Sequence, residues 1–423
     1  MPRLPPELVG IVVDHISDCK TLTSCSLAAR VFRFSAQRRL LTALALDDGA
    51  NETTVPGSDL EWGPKARTYA EAAQRFSESP HLAGYVLELS IVPPTTEESV
   101  VAARQIFAAL TRVRIARISG APLMSMTWRE WDELPASSAA AVLDWLGTYT
   151  GGSGRRLSYL TLKGWGLPLQ VMHRALRAPS ELLSFWDSRF QHADTAEDAH
   201  DESTPTCGPK SIDTFRSPGL FALLVQPQFR QYAANLQHLH VNLGTPSNDP
   251  DLATFSHLLA VSVDTLQSLI ISFYGTEVVE NVSIPLPRTF PKLKQLNIYV
   301  YNQHITGPLP QSWVVANLLR DMLLPAATPV LAQVAFKIRW ESVDGRVATA
   351  PVCPCFAELL DGRLAAHPCI RKVGWRDMVD DFIDIVAQDA ERHCTEFEAL
   401  LKEALPRTVE KGLLEISRNS NWK

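Results

Sequence analysis

The residues with most chemical capacity in this chain are sulfur and imidazole. Cys353-Pro354-Cys355 is followed by His367, Cys369, His393 and Cys394, the donor types that hold zinc. A structural zinc site wants two residues between paired cysteines, so that both thiolates turn toward one ion. The single proline between Cys353 and Cys355 is the wrong spacing, so these groups read as packed thiols. Gly151-Gly-Ser-Gly154 could cradle a phosphate if it led from a strand into a helix N-terminus. It instead precedes the strand-like Leu157–Leu162 and reads as a connector. His173, His238 and His240 have no acid or nucleophile at a telling spacing, and neither a G-x-S-x-G elbow nor an H-E-x-x-H pair occurs. The residues predict no catalytic site, no metal and no cofactor, so the chain reads as a non-enzyme.

A non-enzyme must be explained by its surfaces, and composition bounds these. At 423 residues the chain exceeds what one compact core holds, so several units or an elongated solenoid are expected. It is 46% apolar and 20% charged, which is globular. Forty basic against 46 acidic residues leave a net charge of −6, which argues against a chain-wide nucleic-acid or anionic-membrane surface. Seven cysteines without a regular frame suit reduced thiols in a cytoplasmic or nuclear setting. Glu7 and Asp14 interrupt the first apolar segment and no cleavage site follows, so no signal peptide is expected. No apolar run approaches the roughly 18 residues of a membrane span. Asn51-Glu-Thr53 and Asn281-Val-Ser283 match a glycosylation acceptor only by coincidence in such a chain.

The first segment carries more apolar faces than it can bury by itself. Pro5 and Pro6 suit a helix's first turn and Glu7 its positive end, which predicts a helix over 6–17. On it Leu8, Val12 and Ile16 form one row, Val9 and Val13 a second and Ile11 a third, wider than one amphipathic stripe. Further short helices near 22–29 and 34–43 can cover one surface. The other needs a partner, since domains of roughly 40 residues bury too little to stand alone. Two other readings are a helical cap packed on a larger domain and a helix-turn-helix reader of DNA. Residues 1–46 carry six basic and three acidic residues, a net +3, but a recognition helix needs clustered basic and amide side chains, and Leu, Val and Phe dominate here.

The run Leu4-Pro-Pro-Glu-Leu8, the positions Val12 and Ile16, then Leu22-x-x-Cys25-Ser-Leu-Ala-x-Arg30-x-Phe32 and Arg38-Arg-Leu-Leu41 resemble the F-box, in particular that of fungal proteins with leucine-rich C-terminal regions. Ala28-Ala29 and the added aromatic Phe34 depart from the usual pattern without opposing a helix. The resemblance implies binding to a Skp-type adaptor, and through it to cullin, through Leu4, Pro5, Leu8, Val12, Leu22, Leu27 and Phe32. The F-box is expected over 1–46 as three short helices, then a linker with one helix over 47–80.

From residue 81 onward short L-x-x-L-x-L phrases recur, beginning at Val86, Leu110, Leu157, Leu182, Leu236, Leu266, Leu293, Leu331 and Ile370. Most single steps run from roughly the 20–29 residues of ordinary leucine-rich repeats to somewhat longer, and the two large gaps have room for a missed repeat or an insertion. Between phrases lie amphipathic stretches near 137–145, 252–263, 312–324, 356–364 and 396–405. This predicts an α/β chain: an all-α F-box, then an irregular leucine-rich-repeat-like solenoid of parallel strands and outer helices over 81–423. Residues 191–217 hold six acidic and two basic residues and two prolines with few apolar ones, and read as an acidic mobile loop.

Alternation along each strand sends the residues between the leucines to an open face. That face would carry Arg112, Arg114, Thr161, Lys163, Trp186, His238, His240, Asn242, Ile270, Ser272, Tyr274, Asn297, Tyr299, Tyr301, Lys337 and Arg339. Of these Arg114, Lys163, Trp186, His240, Tyr274, Tyr299, Tyr301 and Arg339 are the expected target contacts, because Tyr, Trp and Arg dominate protein hot spots. The expectation is a substrate receptor of an SCF (cullin-RING) ubiquitin ligase that holds a target protein; the alternative is a leucine-rich interaction scaffold without a ligase role. No membrane and no nucleic-acid partner is expected.

Overall fold

Pro6 opens the first helix where its missing N–H costs nothing, and the chain then builds three helices before any strand: α1 (Pro6–Asp14), α2 (Cys19–Ala28) and α3 (Arg30–Leu40). This computed structural model describes residues 5–48, 67–120, 128–150, 155–191, 208–243, 251–274, 284–302, 313–340, 354–379 and 387–418. Helix α1 ends three residues before the expected 17. Asp18 is already committed to the next helix, its carboxylate accepting from Thr21 N at 2.8 Å as an N-cap. Ala29, in extended conformation, separates α2 from α3. Val9, Val13, Leu22 and Ala36 form the buried centre of this cluster, with Ile16, Cys25, Phe32 and Leu40 packed against it.

The chain divides into two compact units, Met1–Pro209 and Lys210–Lys423. In the first, α3 leads almost directly into a strand, β1 (Ala43–Leu46), which lies within the stretch assigned to the F-box. Arg67 bridges back to Leu46. Then follow α4 (Tyr69–Glu78), β2 (Glu88–Ile91), α5 (Glu97–Ala109), β3 (Ile115–Ser119), β4 (Arg129–Glu130), α6 (Ala136–Thr150), β5 (Leu157–Lys163), β6 (Trp165–Leu167), α7 (Leu169–Arg177), β7 (Pro179–Trp186) and β8 (Arg189–Phe190). Helix α4 starts on a reciprocal cap, Thr68 Oγ1 accepting from Glu71 N while the Glu71 carboxylate accepts from Thr68 N, each at 3.2 Å. It is the one helix expected within residues 47–80, and it buries Tyr69, Ala72 and Phe76.

Strands β1, β2, β3, β5 and β7 pair in that order, all parallel. Leu44, Leu89, Ala116, Leu160 and Leu183 share one register row, and Leu46, Ile91, Ile118, Leu162 and Phe185 the next inward row. All ten are buried, so two continuous apolar lines run across the strands. A fully buried side chain of this kind contributes roughly 1.5–3 kcal/mol over an exposed one, so these two lines hold the layer together. The short strands β4, β6 and β8 make a second, parallel three-strand sheet. Its Trp165 is fully buried, donates Nε1–H to the Ile118 carbonyl at 3.1 Å and packs on Trp131. Gly120 is required beside it, since a Cβ there would collide with the Gly164 carbonyl and lie 2.7 Å from the Trp165 ring.

The second unit repeats the plan with β9 (Ser211–Phe215), α8 (Leu220–Leu224), α9 (Arg230–Ala234), β10 (His238–Leu243), α10 (Asp251–Ser262), β11 (Ser268–Tyr274), β12 (Gln295–Asn302), α11 (Trp313–Met322), β13 (Gln333–Trp340), α12 (Pro354–Ala366), β14 (Lys372–Val379), α13 (Ala387–Ala404), α14 (Pro406–Glu410) and β15 (Leu414–Arg418). Its seven strands also pair in chain order and in parallel. Ile212, Leu239, Leu269, Leu296, Val334, Val373 and Leu414 share one row. The chain is thus α/β with parallel sheet throughout its main layer.

Several phrases need correction. In β3 the inward pair is Ala116 and Ile118, three residues on from the expected Val113 and Ile115, because the small Ala116 gives a weaker apolar signal than Ile115. In β7 Leu183, not Leu182, alternates with Phe185. The end of the acidic stretch, expected to be mobile, is strand β9; Thr214 fills the inward position, 2% exposed, and its hydroxyl accepts from Asn242 N at 3.3 Å. Strand β1 in the first unit and strand β15 in the second are additional to the expected phrases. Gly151–Gly154 and residues 192–207 lie outside the described residues.

Candidate functional site

Helix α1 buries one row and exposes two. Val9 is 2% and Val13 0% exposed, whereas Leu8 is 47%, Ile11 54% and Val12 54%. Leu27 on α2 and Val31 and Phe34 on α3 are exposed as well. Pro5 is exposed, and Leu4 lies outside the described residues. Two of the expected adaptor contacts belong elsewhere: Leu22 is fully buried in the cluster and offers a partner nothing, and Phe32 is half-buried against that same core. Ile11 and Val31, which were not among the expected contacts, are exposed too; Ile11 stands one turn from Leu8 and was legible as the third apolar row.

On the open sheet face of the first unit, Lys163 and Trp186 are register partners, with the ammonium 6.0 Å from the indole and Trp186 Nε1–H donated to Ser184 Oγ at 2.7 Å. Arg114 precedes β3 rather than lying in it. The arginine on that face is Arg117, paired with Glu88 at 3.3 Å, and the three-residue phrase error hid it.

The second unit's open face is more elaborate. Asp213, His240 and Ser272 stand on three successive strands. His240 Nδ1 is 2.7 Å from Asp213 Oδ1 and its Nε2 is 2.9 Å from Ser272 Oγ. Tyr299 meets the imidazole edge at 5.8 Å between centroids, and Lys337 Nζ lies 4.9 Å above the Tyr299 ring. Carboxylate, imidazole and hydroxyl in this order resemble a nucleophilic relay, and no spacing in the sequence announced it, because sheet register alone brings the three together. A nucleophile needs open access and donors aimed at a developing oxyanion. Ser272 is 1% exposed, the side-chain amide nitrogen of the adjacent Asn242 is enclosed too, and β11 is paired on both sides. The trio therefore ties β9, β10 and β11 together and fixes the His240 ring. The side chains of Tyr274, Tyr301 and Arg339 lie outside the described residues, although their positions fall on the same register line.

Of the sulfur and imidazole groups, His367 is buried, with Nδ1 accepting from Cys369 N at 3.3 Å and Nε2 at 3.5 Å from Thr328 Oγ1. Burial lowers its pKa below the ordinary histidine value, a shift the Thr328 contact only partly opposes. Cys355 is exposed and Cys369 donates its thiol toward the Pro329 carbonyl. Cys353 and the side chain of His393 lie outside the described residues. Among the described residues no three metal-ligating side chains converge. A cleft lined by Glu398, Lys402, Val409, Leu414 and Ile416 carries one acid and one base, which pair with each other at 2.7 Å.

No protein-family model and no curated protein sequence matches the chain. Among the described residues no helix is long and apolar enough to cross a membrane.

Proposed function

We propose that the chain is a non-enzymatic substrate receptor of an SCF (cullin-RING) ubiquitin ligase, acting in the cytoplasm or nucleus. Helices α1–α3 are its F-box, and the strand-and-helix layers are a leucine-rich-repeat-like solenoid that holds a target protein. The observation that carries this reading is the division of α1. Val9 and Val13 complete a small core, while Leu8, Ile11 and Val12 leave a two-row apolar surface open to water. Exposed aliphatic residues at i, i+3 and i+4 are the anchors of a helix that packs on a partner. The parallel register of leucines from Leu44 to Leu183 and from Ile212 to Leu414 supports the solenoid. Such a receptor contributes proximity: it raises the effective concentration of a target lysine at a conjugating enzyme that supplies the chemistry.

Co-purification with a Skp-type adaptor and cullin tests this. Capture of both by the full chain, abolished by Leu8→Asp, supports a ligase receptor. Capture of adaptor without cullin would leave a scaffold that uses the same module, and capture of neither would end the ligase reading and leave a leucine-rich interaction scaffold without a ligase role.

A further inference from the structure

At about 3.6 residues per turn, Arg33, Gln37, Arg30, Phe34, Arg38 and Val31 follow one another around α3 within an arc of about 160°. All are exposed except the half-buried Gln37, whereas Phe32, Ala36 and Leu40 on the opposite arc pack into the α1–α3 core. Arg30, Phe34 and Arg38 form the centre line of the exposed arc, each one helical turn from the next. Leu8, Ile11 and Val12 do not belong to it, so it is a second surface of the three-helix cluster. We propose that this arc docks an acidic amphipathic helix of a protein partner, which offers an aliphatic side chain to Phe34 and carboxylates, one turn to either side, to Arg30 and Arg38. The inference goes beyond the ligase reading and does not depend on it.

Charge sets the partner's sign. Among the described residues, the side chains of Arg30, Arg33 and Arg38 take part in no ion pair. Helix α3 carries no acid, and neither does the 3-10 turn Pro80–Tyr85 that packs on it. Asp18, ahead of α2, is used as that helix's N-cap, and Glu7 and Asp14 on α1 pair with none of the three arginines. Arg112 adds to the same charge, its Nη1 donating to the Gly84 carbonyl at 3.3 Å, one residue from Tyr85. The surface is therefore cationic in a chain of net charge −6.

The aromatic centre selects the partner's class. Phe34 stays 61% exposed although its ring meets Tyr85 edge to face at 5.4 Å, and His81 meets Tyr85 in the same way at 6.0 Å. Each ring stands at 83° to the next, so they offer no run of parallel faces on which successive bases could stack. A DNA duplex fits no better. A recognition helix about 10–12 Å across fills a major groove about 12 Å wide, and here the turn Pro80–Tyr85 already lies against the middle of the arc. An anionic membrane takes a broad apolar face, and Val31 and Phe34 are only two side chains. A helix suits the spacing, because carboxylates at i and i+8 match the roughly 12 Å that separate Arg30 from Arg38 along the axis. A guanidinium fork also takes both oxygens of one carboxylate.

The test measures fluorescence anisotropy of fluorescein-labelled, alanine-based helical peptides on the full chain and two variants. One peptide carries Glu, Leu and Glu at i, i+4 and i+8, and in two others Gln or Lys replaces Glu. Oligothymidine, a DNA duplex and phosphatidylserine vesicles are run beside them. Arg30→Glu with Arg38→Glu reverses the charge at both ends of the row, and Phe34→Ala removes the ring between them. The Glu peptide is expected to bind about tenfold or more tighter than the Gln peptide, to weaken with salt, and to lose about tenfold in each variant at an unchanged thermal midpoint, while the Lys peptide does not bind. Equal binding of the Glu and Gln peptides, undiminished binding in either folded variant, or tighter binding of oligothymidine, duplex or vesicles than of the Glu peptide would overturn the proposal. If the charge-reversed chain fails to fold, Phe34→Ala decides. Adaptor capture is run on the same proteins: a chain that binds the Glu peptide but captures no adaptor sinks the ligase reading and leaves this face standing, and adaptor capture without peptide binding does the reverse.

Discussion

Leu8 and Val9 are neighbours in sequence and opposites in environment, 47% and 2% exposed on the same helix turn. One faces water and the other completes the core of α1–α3. Substitutions should therefore separate stability from partner binding. Leu8→Ala is expected to change stability by no more than about 0.5 kcal/mol, as exposed positions do. Leu22→Ala, at a fully buried position, should cost about 2–5 kcal/mol. Urea unfolding of the two variants, alongside adaptor capture by Leu8→Asp and Ile11→Asp, checks this. Leu8→Asp and Ile11→Asp should stay folded and lose the adaptor. A Leu8→Asp chain that still captures adaptor as wild type does would show that this row is not the contact.

Asp361 shows how the end of the second unit is fastened. Helix α14 begins after Leu405, which has no side chain able to cap, so its first N–H groups need another acceptor. Asp361, buried on α12, accepts from Arg407 N at 3.1 Å, Thr408 N at 2.8 Å and Thr408 Oγ1 at 2.7 Å. Asp361→Ala strands these buried donors and should cost about 2–3 kcal/mol. Asp361→Asn keeps one acceptor oxygen and should cost less. Denaturant midpoints for the two variants check the order, and equal losses would mean that packing volume rather than hydrogen bonding matters here.

How much of this was legible follows from what a row of residues looks like locally. Leu239-x-Val241, Leu269-x-Ile271 and Leu296-x-Ile298 pair two aliphatics inside one strand, and alternation alone exposes them. Ala116 and Thr214 occupy the same inward rows with a small and a polar side chain, so β3 was misplaced by three residues and β9 disappeared into acidic surroundings. The acidic residues there were read as solvated, which hid that Asp213 has a partner on the next strand. The Asp213–His240–Ser272 chain lay beyond reach for a different reason. Its members are far apart in sequence, and only the register of three parallel strands brings them to hydrogen-bonding distance.

His367 predicts an acid sensitivity. Its folded pKa is lowered, chiefly by burial, while the unfolded chain titrates near the ordinary value of about 6.5. Below that value the unfolded state binds a proton that the folded state refuses, so the unfolded state binds more protons and stability rises with pH. The contribution is fully present above pH of about 6.5 and is lost as pH falls toward the lowered folded value. Urea unfolding at several pH values should show the wild type losing more stability on acidification than His367→Gln. Parallel curves for the two proteins would remove His367 as the cause.

Three strands end on the same backbone device. Gly164, Asp187 and Arg216 each follow the second inward residue of their strand by two positions and adopt positive φ, at 69°, 48° and 47°. The left-handed turn redirects β5 and β7 into the short strands β6 and β8. Glycine enters this region freely, whereas other residues pay about 1–2 kcal/mol, with Asp among the most tolerant. Gly164→Ala should thus destabilise by about 1–2 kcal/mol. Asp187→Gly should lie within about 0.5–1 kcal/mol of wild type, relief of strain being offset by the greater unfolded-state freedom of glycine. Asp187→Val adds a β-branch to the same backbone and should cost more than Asp187→Gly. Thermal midpoints of the three variants give the order Asp187→Gly above Asp187→Val, with Gly164→Ala below wild type. A Gly164→Ala protein as stable as wild type would mean that the turn relaxes to negative φ and that the short strands do not depend on it.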